Sequence, residues 1–416
     1  MSPLHWIWQH PEWPHFQWKA DALAVHLREC QQAYGQVLGM AGAVGGDTQC
    51  EHALNALLSN IVTSSEIEGE HLDVGSVRSS LARHLGMVDA TPRRTTARSE
   101  GLAELMLDAT GHGQQPLDLP RLMRWHHWLF PDEEDALLPN RIRIGQLRGE
   151  APMQVVSGRI DRPRVHFEAP PRQGLEPQLD AFFDWFNGSL QDATLDPLLR
   201  AGIAHLWFVT LHPFDDGNGR LTRALTDLAL AQSQPQAIRF HALSAAILAD
   251  RSGYYRSLEA TQKGGLDITE WLHWFLETLH TSLTQAVQRI DKVLTKTRYW
   301  QAHREQPLSA EQTKVLNRLL DGGERGFALG ISASQYQSVA RVSKATATRH
   351  LADLLAKGCL RRLPGGGRST RYEINWPASD ASLSALTAPV EDSITEHDDI
   401  VQKRWNLCHA LRDDGI

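Results

Sequence analysis

Residues 211–223 read LHPFDDGNGRLTR. His212 is a base able to take a proton from an incoming hydroxyl. Asp216 is a hard oxygen donor suited to Mg2+. Gly217 and Gly219 allow close backbone approach to a ligand, and the Gly-Asn-Gly alternation suits an anion nest. A helix starting near Gly219 would aim its free N–H groups and positive dipole end into the loop. Arg220 and Arg223, three residues apart, share a helical face and offer fork donors for phosphate. These are the parts of phosphoryl or nucleotidyl transfer, which is mostly positioning and charge stabilisation. Singly, each residue has a plainer reading, as a helix cap or a turn. Together in one short loop they argue for a site.

HPFDDGNGRLTR resembles the signature of the Fic family, His-x-Phe-x-Asp/Glu-Gly-Asn-Gly-Arg-x-x-Arg. Every specified position matches: His212, Phe214, Asp216, Gly217, Asn218, Gly219, Arg220 and Arg223. The resemblance implies transfer of AMP from ATP to a Ser, Thr or Tyr hydroxyl of an unknown target protein, or of the chain itself. It makes His212 the general base and Asp216 the ligand of Mg2+ (or Mn2+). Gly217, Asn218 and Gly219 would bind the α- and β-phosphates, and Arg220 and Arg223 the outer phosphates. Leu221 and Thr222 fall in the same ATP-binding turn. Asp216 argues against the branch that phosphorylates its target, where Lys is frequent at this position.

TSSEIEGE at 63–70 resembles the family's inhibitory pattern Ser/Thr-x-x-x-Glu-Gly/Asn through Ser64, Glu68 and Gly69. By resemblance Glu68 pairs with Arg223 and takes the place of the γ-phosphate. A desolvated carboxylate–guanidinium pair is strong. The plain reading is a helix end with a surface acid and a C′ glycine. Removal of AMP, with Glu68 orienting a water, also stays open.

VVSGRIDRPRVHFEAPP at 155–171 alternates as a hairpin does. It stands where the family places its flap (153–168), whose strand edge pairs with a target segment through Val165, His166 and Phe167. An ordinary edge hairpin is the alternative. Tyr254 and Tyr255 either enclose adenosine or belong to the core. His126 and His127 read as structural, and His205 as a buried hydrogen-bonding residue.

The elements that must position these residues are mostly helical. Apolar periodicity predicts helices over 19–40, 50–67, 97–112, 117–130, 174–190, 196–211 and 219–232. Residues 268–300 read as one long amphipathic helix or a pair. Trp6, Trp8, Trp13 and Trp18 read as a docking segment on the first helix. The fold class expected is mainly α: a helical Fic fold with a small β-hairpin flap, plus a C-terminal winged helix-turn-helix domain. The divisions are 1–95 (helical, with an inhibitory helix at about 50–70), 96–300 (catalytic), 305–376 (winged helix) and 377–416 (acidic tail).

Helices over 309–321, 332–340 and 343–358, the last capped by Ser343, precede a strand, a Gly-rich turn and a strand. Residues 341–371 carry Arg341, Lys344, Arg349, Lys357, Arg361, Arg362, Arg368 and Arg371 against Asp353 alone. Within a chain of net charge −7 this is a basic island, suited to DNA phosphates or to protein docking and dimer support. A DNA-binding regulator with a nucleotide-sensing or AMP-removing Fic domain is the alternative function. The tail holds eight acids against three Lys/Arg, with a last helix expected near 399–412. Cys30, Cys50, Cys359 and Cys408 make no metal or disulfide spacing. The start lacks a secretory pattern and no run is long enough for a membrane span. A cytoplasmic setting, of the kind common for such bacterial chains, and a possible homodimer are the expectations.

Overall fold

The computed structural model describes residues 6–43, 46–87, 92–131, 142–159, 162–233, 240–322, 327, 329–364 and 370–376. The acidic tail and its expected last helix lie outside them, as does Arg368. The chain is mainly helical, in two compact units that divide within one helix between Val287 and Gln288. Among the described residues, no helix is long and apolar enough to cross a membrane.

The first unit begins with α1 (Ala20–Ala41), α2 (Gly46–Ile67), α3 (Val74–His84), α4 (Ala97–Gly111) and α5 (Leu119–Leu129). An antiparallel pair follows, β1 (Gln154–Arg159) and β2 (Arg162–Glu168), in register Val156↔Val165 with an irregularity at Val155/Val156. Then come α6 (Leu175–Gly188), α7 (Pro197–Leu211), α8 (Asn218–Ser233), α9 (Leu243–Ala249), α10 (Arg251–Gln262) and α11 (Thr269–Ala302). Short polar side chains set the starts. Asp73 accepts from Ser76 N, Asp118 from Arg121 N and Asp196 from Leu198 N, each satisfying a donor the helix cannot. Helix α3 was not anticipated, because its serines and arginine obscure the apolar face. Residues 269–302 form one helix rather than two.

Helix α7 is buried on every side from Leu198 to Leu211. A helix apolar all round belongs in the middle of a core. Around it lie Phe182, Phe186, Leu221, Leu225, Trp271 and Phe275, all buried, and Trp271 Nε1 donates to Gly202 O at 2.8 Å.

The tryptophan segment meets β2 and α7. Trp6 stands edge-on to Phe167 at 5.4 Å, Trp8 Nε1 donates to Glu168 O at 2.7 Å, and Trp13 and Phe16 meet Trp207 of α7. An indole N–H needs an acceptor when covered. The carbonyl of Glu168 supplies one.

The second unit holds the end of α11, then α12 (Ala310–Asp321), α13 (Ala333–Ala340), α14 (Lys344–Ala356), β3 (Leu360–Arg362) and β4 (Tyr372–Ile374). Ser343 accepts from Thr346 N, as its position predicted. The unit's core joins Tyr299, Leu316, Tyr336, Leu351, Leu354 and Ile374.

Gly101 of α4 lies against α5, where a Cβ would stand 2.1 Å from Trp128 O. Backbone cannot give way there without parting the helices. Gly101→Ala should cost about 2 kcal/mol, read as a lower urea midpoint. An unchanged midpoint would contradict this packing.

Candidate active site

Because α7 is fixed on all sides, its C-terminus is a rigid support. His212 ends it with φ 49° and ψ 57°, a left-handed conformation rare for a residue with a Cβ. The turn aims the side chain out of the helix line. His212 Nδ1 lies 3.1 Å from Val209 O. A carbonyl only accepts, so Nδ1 carries the proton and Nε2 is left as the acceptor. Burial holds the imidazole below its ordinary pKa, aided by the Arg148 charge, which favours the neutral ring.

The loop beyond is braced from within. Phe214 N donates to Asn218 Oδ1 at 2.9 Å and Asn218 Nδ2 donates to Phe214 O at 2.8 Å. Gly217, at φ 81°, leads into α8, and a Cβ there would strike Leu129 and Phe130. The N–H groups of Asn218, Gly219 and Arg220 begin the helix and have no intrahelical acceptor. They form an anion-attracting end. Asn218 therefore offers its backbone, its side chain being spent on the brace. Leu221 and Thr222 differ from expectation. Leu221 is fully buried, and Thr222 Oγ1 donates to Asn218 O at 2.7 Å. Their side chains face the interior, since a helix shows only some of its faces to a ligand.

Asp216 is exposed; its Oδ1 accepts from Gly217 N at 2.6 Å and its Oδ2 lies 3.6 Å from Arg220 Nη2. One open carboxylate beside an anion cradle is a donor set that fits Mg2+, which keeps waters and takes further oxygens from phosphates. Among the described residues, one group with metal-type donors close together is His26, His273 and Glu277, which includes no loop residue.

The segment at 63–70 meets the loop. Gly69, at φ 81°, ends α2 in a Schellman turn: Gly69 N donates to Glu66 O and Glu70 N to Ser65 O. Glu68 is the last residue before that glycine. Its Oε1 accepts from Arg223 Nη2 at 2.7 Å. Arg223 Nε donates to Ser64 Oγ and Nη2 also to Ser64 O, both at 2.8 Å. The plain helix end and the Glu68–Arg223 contact are thus the same structure. A Cβ on Gly219 would meet Glu68 Oε1 at 2.2 Å, so the carboxylate lies on the glycine loop itself. Burial opposes the Glu68 charge, but Arg223, then Arg220 and His212, hold its carboxyl below the usual range. Burial likewise opposes the Arg223 charge, and Glu68, with Tyr254 and Tyr255, more than restores it.

Other expected residues fall differently. Tyr254 is only 1% exposed, and its hydroxyl meets His205 Nε2 at 3.0 Å. It packs as a core tyrosine. Tyr255 is 37% exposed. His205 is buried and hydrogen-bonded to Thr226 and Tyr254, as expected. On β2, Phe167 is buried beneath Trp6, so it anchors the hairpin rather than lining an entry. His166 bonds Ser157 and Glu259 of α10. Val165 is half-buried, and Val156 opposite it is the apolar side chain that reaches solvent.

His126 is structural, as expected, while sequence reasoning passed over the other supports. His126 stacks on Phe214 at 4.2 Å. Its Nδ1 accepts from Gly145 N at 3.0 Å, so Nε2 carries the proton and donates to Asp216 O at 3.2 Å. Arg148, buried, donates through Nε to His212 O and through its backbone N to Pro213 O, both at 2.9 Å. Glu70 and Arg98 join Arg220. Nothing in the spacing of His126, Arg148 or Arg98 announces the loop, because they come from other elements. Glu70, two residues after Glu68, was the one open to notice.

Burial pushes the His126 pKa down to about 4, against an ordinary 6.5. The unfolded chain therefore binds more protons between those values. Stability present above pH 6.5 should be lost as pH falls to about 4, by up to about 3 kcal/mol. Urea unfolding at pH 7 and pH 5 should show the loss, and His126→Gln should lack this share of it. An equal pH slope in both chains would remove His126 as the cause.

Residues 116–230 match the model of the Fic/DOC family, and residues 6–87 match a domain of unknown function, DUF4172. The chain is similar to protein adenylyltransferase fic-1 of Caenorhabditis elegans, 35% identical over 115 residues, covering 27% of this chain and 21% of that protein. Protein adenylyltransferase Fic of Nematostella vectensis is 35% identical over 99 residues, 23% of this chain and 21% of the relative. The chain thus spans about a fifth of the length of these curated relatives. A crystal structure of a Fic family protein from Desulfovibrio desulfuricans aligns with TM-score 0.48 and 18% identity, covering 85% of this chain and 95% of that one. With the loop of 212–223 inside the matched region, the chain carries a Fic/DOC-family domain.

Proposed function

We propose that the chain is a protein AMP transferase held off by its own Glu68. ATP would lay its phosphates on the N–H groups of Asn218, Gly219 and Arg220, with Arg220 and Arg223 on the outer phosphates. The hydroxyl oxygen of a Ser, Thr or Tyr on a target, or on the chain itself, attacks the α-phosphorus. Its proton passes to His212 Nε2. The bond from the α-phosphorus to the bridging oxygen breaks and pyrophosphate leaves. Asp216 would hold the divalent metal, which when bound supplies charge to the phosphate oxygens. Helix-end donors and arginines fixed in advance stabilise the charge that develops.

The observation that carries this reading is the contact of His212 Nδ1 with Val209 O at 3.1 Å, which implies the tautomer of the ring. Its Nδ1–H is bound to Val209 O, so a basic Nε2 stands at the end of an anion cradle. Glu68 supports the resting state, because its carboxylate lies on Gly219 and takes a donor of Arg223. With Glu68 in place, an outer phosphate has neither the space nor the cation.

ATP labelled at the α-phosphate should label protein weakly with the wild-type chain. Labelling should rise at least about tenfold with Glu68→Gly, since a carboxylate–guanidinium contact is worth more than 1.4 kcal/mol. It should vanish in Glu68→Gly/His212→Ala. Label arriving from the γ-phosphate instead would mean kinase chemistry. Equal labelling with and without Glu68 would end the autoinhibition reading.

A second reading concerns residues 305–376, which we propose are a winged helix-turn-helix that binds DNA. It is supported by exposed Lys344, Thr348 and Arg349 on α14 and exposed Arg361 and Arg362 on β3. These donors suit backbone phosphates. Duplex DNA should bind with an affinity that falls steeply with salt, and Arg349→Ala should weaken it. Absence of binding at low salt would leave the basic face to a protein partner.

A further inference from the structure

Glu70 follows the same Schellman turn that presents Glu68. Its Oε2 accepts from Arg220 Nη1 at 2.6 Å, and its Oε1 pairs with Arg98 of α4. The Arg220 side chain is 7% exposed. The guanidinium lies over the Phe130 ring at 4.9 Å, with Nη2 3.6 Å from Asp216 Oδ2. So two acids flanking Gly69 each grip one arginine of the loop.

The two grips differ in charge. Glu68 is hydrogen-bonded to Arg223, and that pair sums to zero. Glu70 is shared by two arginines, so Arg98, Glu70 and Arg220 sum to one positive charge before Asp216, 3.6 Å from Arg220 Nη2, is counted. A carboxylate shared with Arg98 fixes where Arg220 points and cancels less of its field at the loop than an unshared one would. The single charge-assisted bond to Glu70, the ring of Phe130 and near-complete burial then leave the guanidinium little freedom.

We propose that Glu70, backed by Arg98, is a positioning residue that holds Arg220 toward the phosphates of bound ATP, and is not a second brake. The proposal rests on the reading of the loop as an ATP site.

The test uses the full chain carrying Glu68→Gly, so that the brake is off. ATP with Mg2+ is titrated by calorimetry, and kcat and KM are read from α-labelled ATP. Adding Glu70→Ala should weaken ATP binding and raise KM by about tenfold, the scale of one lost charge-assisted contact. Arg98→Met should do the same, because it leaves Glu70 free to cancel Arg220. Glu70→Gln, which keeps an oxygen acceptor, should retain most of the affinity. In an Arg220→Ala background, Glu70→Ala should cause no further loss. Unchanged or tighter ATP binding in Glu70→Ala would overturn the proposal, as would a loss that persists without Arg220. If Glu68→Gly transfers no AMP, the reaction assignment fails, while calorimetry with ATP still decides the role of Glu70.

Discussion

A buried guanidinium governs this site. Arg223 is 2% exposed and enters the protein interior from α8. A charge so placed is costly unless paired and hydrogen-bonded. Ser64 supplies two acceptors and Glu68 the counter-charge. Take away Glu68, and Arg223 must find another anion or bear the desolvation alone. The cation therefore couples the end of α2 to whatever occupies the glycine loop. Under the proposed function both partners would compete for one group, which would put site and control at one position.

The loop can use that cation because its surroundings do not yield. Buried α7 delivers His212 in a left-handed turn. Arg148 ties the carbonyl of His212, and His126 ties that of Asp216. Asn218 closes the loop across Phe214. Each bond satisfies a backbone group that would otherwise be buried unpaired. The free donors that remain are those at the start of α8, where an anion is favoured. Preorganised donors of this kind need no rearrangement when charge develops.

Much of this was legible beforehand. The glycines, the acid and the arginines stand within one turn of chain, so their types and spacing already imply a phosphate cradle. The hairpin and most helices followed from periodicity, and Ser343 from its place before α14. What was missed came from other elements. Trp6 and Trp8 reach β2, because their ring and indole N–H find a partner there. Phe167 and Tyr254 looked available for ligands, yet both are core residues. Aromatic side chains suit a core and a binding wall equally, so their identity does not decide between the two.

By itself, the sequence determined the local chemistry of 212–223 and the glycine end of α2, since both depend on neighbours within a few residues. The tertiary structure decided which groups those residues face. It put Glu68 on Gly219, Glu70 on Arg220 and His126 beneath the loop. It also decided the tautomer of His212, which depends on the left-handed end of α7 bringing Nδ1 to a carbonyl. Such contacts join segments up to 155 residues apart. Spacing in the chain carries no signal for them, because their partners are chosen by packing and by the need to pair every buried charge.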